Sequence, residues 1–149
     1  MANLYCALDA GTVSTCMLCA TRDEANGTRA LLRRARVTDL GEGVDASGSL
    51  LPRAIRRTVD CIADYLAQAR GLAREQGLSL VSRLTATSAA RDASNSRDLT
   101  ARLEEFTGRE GLKPAVEITQ EKISTLSEFW PLARFFFDGP ADDPAAREK

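Results

Sequence analysis

The chain has 149 residues, 44% of them hydrophobic, which is enough for one domain with a core of its own. Its formal net charge is −1, so no global field draws it to nucleic acid or to a membrane. It contains no histidine, which removes the commonest general base, the Ser-His and Cys-His nucleophile pairs and histidine-based metal sites.

The basic residues are nearly all arginine, with only Lys113, Lys122 and Lys149 as lysines. Arginine suits planar, bidentate oxyanion contacts, and the bias equally fits a GC-rich genome. The first residues are apolar but carry Asp9 and no basic leader, so they read as neither a secretion signal nor a membrane span. A cytoplasmic, reducing location is expected, with Cys6, Cys16, Cys19 and Cys61 as free core thiols. The Cys16–Cys19 spacing resembles that of a metal site. In a strand, however, residues three apart point to opposite faces, and no second pair completes the set.

The apolar run 4–8 predicts a first strand. It leads into Asp9-Ala10-Gly11-Thr12-Val13-Ser14. Such a segment brings a carboxylate and a row of backbone N–H groups to a phosphate: Gly11 allows a tight turn, and Thr12 and Ser14 add hydroxyls. Asp9 is suited to hold a Mg²⁺, directly or through water. The same pattern is also ordinary structure, a small strand entering a glycine turn.

Residues 15–21 predict a second strand, Asn26-Gly27 a hairpin, and 29–39 a third strand. Arg29, Arg33, Arg34 and Arg36 make that strand basic, as a solvated edge protected against pairing or as a rim that attracts polyanions. A loop is expected over 41–48. Pro52 then opens a long helix to about Gln76, with the stripe Ile55, Val59, Ile62, Leu66, Ala69 and Ala73 and a C-cap at Gly77. Arg53, Arg56 and Arg57 crowd its first turns, so they are either solvated or face an anion.

Residues 78–87 predict a fourth strand. A second helix is capped by Asn95 or Ser96, carries Leu99, Leu103 and Phe106 inward and ends at Gly108. Residues 115–119 predict a fifth strand, and a third helix should begin near Gln120. The order β-β-β-α-β-α-β-α implies an α/β domain, a mixed five-stranded sheet with helices on its faces. Pro131 interrupts the third helix, Phe129, Trp130, Phe135, Phe136 and Phe137 pile up apolar area, and 138–149 has the composition of a disordered tail.

Four separated pieces resemble the exopolyphosphatase/guanosine pentaphosphate phosphatase (Ppx/GppA) family. They are Leu8–Ser14; Leu40-Gly41-Glu42-Gly43-Val44-Asp45-Ala46-Ser47-Gly48 with Leu51-Pro52 and Ala54-Ile55; Ala86-Thr87-Ser88-Ala89-Ala90-Arg91-Asp92-Ala93 with Asn95; and Glu117-Ile118-Thr119-Gln120-Glu121. The resemblance implies the actin-like, ribonuclease-H-like ATPase fold. It also implies removal of terminal phosphate from polyphosphate or pppGpp with Mg²⁺ as cofactor. The first lobe of a two-lobed domain would span 1–121, followed by a divergent aromatic segment 122–137 and the tail 138–149.

By the same resemblance Asp9 would hold the metal. Gly11, Thr12, Val13 and Ser14 would cradle phosphate, Arg91 would clamp its oxygens, and Glu121 would be the catalytic base. Arg91 can alternatively cap its own loop or pair with Asp92 or Asp98, and Asp45 and Glu42 suit holding their loop better than touching a ligand.

There are departures from the family pattern. Gln120 stands for the turn glycine, Lys122 and Ile123 for two acidic positions, and Asp39 for an arginine. Glu121 therefore sits about one residue off register, and one residue on a helix turns a side chain by about 100°. The family's second phosphate loop, of Asp-x-Gly-Gly-Gly-Ser type, has no counterpart here, so a truncated or frame-shifted lobe impaired on its own is expected. Two rivals remain. One is a non-catalytic phosphate-binding or interaction module that forms a homodimer through Phe135–Phe137. The other is a sugar-kinase-like relative, which explains Asp9–Ser14 but not Ala86–Asn95.

Overall fold

The computed structural model describes residues 2–23, 27–86, 93–109 and 115–117. Three strands come first: β1 (Asn3–Ala10), β2 (Ser14–Asp23) and β3 (Gly27–Val37). A one-turn helix α1 (Val44–Ser47) and the long helix α2 (Pro52–Gln76) follow, then β4 (Ser79–Ala86), α3 (Ser96–Arg109) and β5 (Ala115–Glu117).

The strands form one mixed sheet of order β3-β2-β1-β4-β5. The first three are antiparallel neighbours, as short connections allow, whereas β1–β4 and β4–β5 are parallel and need crossover helices. Between Cys19, opposite Leu32, and Ala20, opposite Ala30, the register skips Leu31, which marks a bulge in β3.

Period-two alternation sorts the strand residues by face. Leu4, Cys6, Leu8 and Ala10 of β1, Met17 and Cys19 of β2 and Leu84 and Ala86 of β4 share one core with α2 and α3. Both long helices therefore lie on the same face of the sheet. Ala7, Leu18 and Ala20 are buried on the opposite face, with Tyr5 and Val81 packed against them.

The stripe of α2 is wider than the sequence implied. Ala54, Thr58, Cys61 and Tyr65 are buried beside Ile55, Ile62, Leu66, Ala69 and Ala73, whereas Val59 is only half-buried. Thr58 can lie in that interior because its hydroxyl donates to the Ala54 carbonyl at 2.9 Å.

Three expectations need correction. The loop over 41–48 contains α1, a single turn bracketed by Gly43 and Gly48 at φ 75° and 73°. Gly108 does not end α3, which runs on to Arg109; the glycines with positive φ among the described residues are Gly43, Gly48 and Gly77, so Gly108 keeps a helical backbone. The third strand ends at Val37, and Asp39 takes a left-handed conformation at φ 49°. The Asn26 position of the hairpin, the third helix near Gln120 and the aromatic tail lie outside the described residues. Gly77 does cap α2 as expected, at φ 64° with its N–H on the Ala73 and Arg74 carbonyls.

β3 is an edge of the sheet, and two of its arginines turn back over α2. Arg34 donates to Gln68 at 3.1 Å, and Arg36 pairs with Asp64 at 2.7 Å with its guanidinium over the Tyr65 ring. Cys6 and Cys19 face each other across β1 and β2, fully buried. The Cys19 neighbour and the burial push the Cys6 thiol well up, the behaviour of a structural rather than a reactive cysteine. Cys16 pairs with Asp9 instead, on the other face, so the Cys16–Cys19 spacing does not converge.

Candidate functional site

The turn between β1 and β2 is closed by the Gly11 N–H donating to the Ser14 carbonyl at 3.0 Å. A Cβ at position 11 would lie 2.9 Å from that same carbonyl oxygen and 3.8 Å from Asp9 Oδ2. The turn is thus tight enough to demand glycine, and it keeps the Asp9 carboxylate beside the glycine face. Val13 at its tip is 63% exposed, while Thr15 just inside β2 is buried and shares a 2.8 Å hydroxyl contact with Thr38.

The second motif is laid directly on this turn. Thr38 and Asp39 N–H groups both donate to the Val13 carbonyl, at 3.1 and 2.8 Å, and the Gly41 N–H donates to the Thr12 carbonyl at 2.9 Å. Gly41 is in such close contact that a Cβ there would fall 2.5 Å from Thr12 Cγ2. Segment 38–42 is a strap across the turn.

Helix α2 holds the strap from behind. Arg57 donates to the Thr38 carbonyl at 2.9 Å, the Asp39 carbonyl at 3.2 Å and Glu42 Oε2 at 2.6 Å. Arg53 donates through two nitrogens to Glu42 Oε1, at 3.1 and 2.8 Å. Arg53 and then Arg57 pull the Glu42 carboxyl down to about 2. Of the three arginines for which two readings were open, Arg53 and Arg57 face an anion, Glu42, while staying partly exposed, and Arg56 is exposed. Glu42 in turn holds its loop.

The third motif reaches the same end of the sheet by topology. β1 and β4 are parallel and level, with Asp9 opposite Thr85 and Ala10 opposite Ala86, so the chain that leaves β4 toward Arg91 starts beside the turn. β5 continues the row, with Glu117 opposite Thr85, so the chain toward Glu121 starts there as well. Ligand sites in open α/β sheets sit at the carboxyl ends of such strands. On the far side of the motif, Asn95 accepts the Leu50 N–H at 2.7 Å and donates to the Leu50 carbonyl at 3.0 Å. The Ser94 N–H meets the Gly48 carbonyl at 2.8 Å. Asn95 precedes α3 as expected, but its side-chain oxygen is taken by the Leu50 N–H, while its amide nitrogen also donates to Asp98 in the first turn at 3.2 Å.

Asp9, Gly11, Thr12, Val13 and Ser14 are therefore brought together in one turn at the carboxyl end of β1. Arg91 and Glu121 lie outside the described residues. Sequence reasoning missed the Gly41–Thr12 contact and the roles of Arg57 and Asn95. The available signal was a Gly-Glu-Gly turn followed by arginines in the first turns of the next helix.

Chemically the turn offers one carboxylate, two hydroxyls and backbone N–H groups. Among the described residues no three His, Cys, Asp or Glu cluster closely enough to form a metal cage. That donor set fits Mg²⁺, which is ordinarily held by one or two carboxylates plus substrate phosphates and water. No described helix is long and apolar enough to cross a membrane.

The strand order and the Asp-x-Gly-Thr turn at the mouth of its parallel strands define an α/β domain of the actin-like ATPase fold. The model of the Ppx/GppA phosphatase family matches residues 20–130, and the chain belongs to that family. Among solved structures it is similar to a Ppx/GppA family member from Aquifex aeolicus, at 23% identity and a TM-score of 0.64 over 94% of this chain and 42% of that one. It is similar to an exopolyphosphatase-like protein at 29% identity and a TM-score of 0.57, over 77% of this chain and 32% of that one. A third, an exopolyphosphatase from Cytophaga hutchinsonii, shares 20% identity with a TM-score of 0.61 over 82% of this chain and 36% of that one. The chain thus spans less than half the length of these structures. No curated protein matches it.

Proposed function

We propose that this chain is the first lobe of a Mg²⁺-assisted phosphoanhydride hydrolase that removes a terminal phosphate from polyphosphate or guanosine pentaphosphate. The observation that carries this reading is the Gly11 turn. It holds Asp9, with its Thr12 and Val13 carbonyls tied back to the following segment, at the carboxyl ends of three level strands, from which both other motif segments depart. In this reading Gly11 shapes the turn, its own N–H being given to the Ser14 carbonyl. The N–H groups of Thr12, Val13 and Ser14 cradle phosphate, while Arg91 clamps its equatorial oxygens and Glu121 takes the proton of the attacking water. Asp9 would hold Mg²⁺, which when bound neutralises charge on the phosphate oxygens.

Binding tests the lobe separately from turnover. Calorimetry of the full chain with tripolyphosphate should show binding that is stronger with Mg²⁺ than without. Asp9→Asn should remove that metal dependence, and Arg91→Ala should weaken affinity by about tenfold or more, the size of a lost charged hydrogen bond. Absence of binding by the wild type at millimolar ligand would refute the reading. Phosphate release from long-chain polyphosphate, beside a Glu121→Ala control, then tests whether one lobe suffices. Release that survives the control would remove Glu121 from the base role.

A further inference from the structure

We infer that Arg57, held in place by Glu42, is a positioning residue that aims the N–H groups of the turn at the anion without touching it. The inference rests on the phosphate-binding reading of that turn. In a trans peptide the carbonyl of one residue and the N–H of the next point in opposite directions, and the described backbone contains no cis peptide. The Thr12 carbonyl is tied to the Gly41 N–H, so the Val13 N–H points away from the strap. The Val13 carbonyl is tied to the Thr38 and Asp39 N–H groups, so the Ser14 N–H points away as well. Two consecutive N–H groups are thereby turned to one side of the turn, the arrangement an oxyanion needs.

What keeps the strap itself from rotating is Arg57. Its guanidinium binds the Thr38 and Asp39 carbonyls, on the far ends of residues whose N–H groups hold Val13. A guanidinium serves three acceptors at once only if it is itself fixed. Glu42 fixes it from the other end of the strap, with Arg53 sharing the carboxylate. A lysine carries the same charge but lacks the planar fork.

The sign of one substitution separates positioning from simple charge. Glu42→Gln removes a negative charge close to an anion site, which by Coulomb attraction alone would strengthen anion binding. Positioning requires the opposite, an affinity of the full chain for tripolyphosphate weakened by about tenfold, the size expected for a lost hydrogen bond to a charged group. Arg57→Lys should weaken it to a similar extent. Amide hydrogen exchange without ligand supplies the second readout. Exchange at Thr38, Asp39 and Gly41 should rise about tenfold in both variants, while the β1–β4 ladder keeps its protection. Unchanged or tighter binding by Glu42→Gln, or strap amides as protected as in the wild type, would overturn the inference. A wild type that fails to bind tripolyphosphate would instead overturn the proposed function, and the exchange data would still decide whether Arg57 and Glu42 hold the strap.

Discussion

Gly11→Ala is the sharpest test of how the turn is built. The new methyl would lie 2.9 Å from the Ser14 carbonyl oxygen, while ordinary contact begins near 3.4 Å, so the turn must open by about half an ångström. The atom in the way is backbone, and it accepts the hydrogen bond that closes the turn, so neither can move without loosening the other. Overpacking of this kind costs about 1–3 kcal/mol. For a chain of about this size each kcal/mol moves the melting temperature by about 2–4 °C, which gives a fall of roughly 2–12 °C. Gly71→Ala is the control. It lies inside α2 with open space where its Cβ would go, so it should gain about 0.5–1 kcal/mol and melt higher. Thermal unfolding followed by circular dichroism reads both. Gly11→Ala melting with the wild type would mean that the turn is slack and that glycine is not needed for its closure.

Asn95→Ala should cost about 1–3 kcal/mol in urea unfolding, because it leaves the partly buried Leu50 N–H and carbonyl without their partner. Asn95→Asp should fall between the two, since it keeps the acceptor for the N–H but sets a charge against the carbonyl and Asp98. Glu42 gives a pH signature. Its carboxyl is held at about 2 in the fold against an ordinary 4.5, so its stabilisation is complete above about 4.5 and fades as pH falls through 2. The difference in urea midpoint between wild type and Glu42→Gln should therefore shrink over that window and stay level above it. A difference independent of pH would show that the Arg53 and Arg57 pairing does not stabilise the fold.

Much of the architecture was readable from local pattern. The run 4–8, the stripe of α2 and its flanking Pro52 and Gly77 each carry a period or a cap that belongs to one element and no other. So does the Asp9–Ser14 turn, because its requirement for glycine arises within four residues. The remainder depends on partners far along the chain. Arg57 meets carbonyls 18 and 19 residues away, and Asn95 meets a residue 45 away, separations that leave no periodic trace. Gly108 was misjudged for a related reason: glycine permits a left-handed stop, but only the local backbone decides whether it is used. The one turn of α1 is too short for any period to show.

The parallel pairing of β1 with β4 joins residues 76 apart, from Asn3 with Ser79 to Ala10 with Ala86, whereas the β1–β2–β3 hairpins are local. Closing a long segment carries an entropy cost before any contact repays it, and hairpins form in microseconds. The glycine turn can thus take shape early. Its neighbours from β4 and β5 arrive only once α2 has crossed over, and on a growing chain that means after the residues that form β4 have been synthesised. The site is assembled in two instalments, and a substitution in α2 that slows the second would leave the turn formed but solitary.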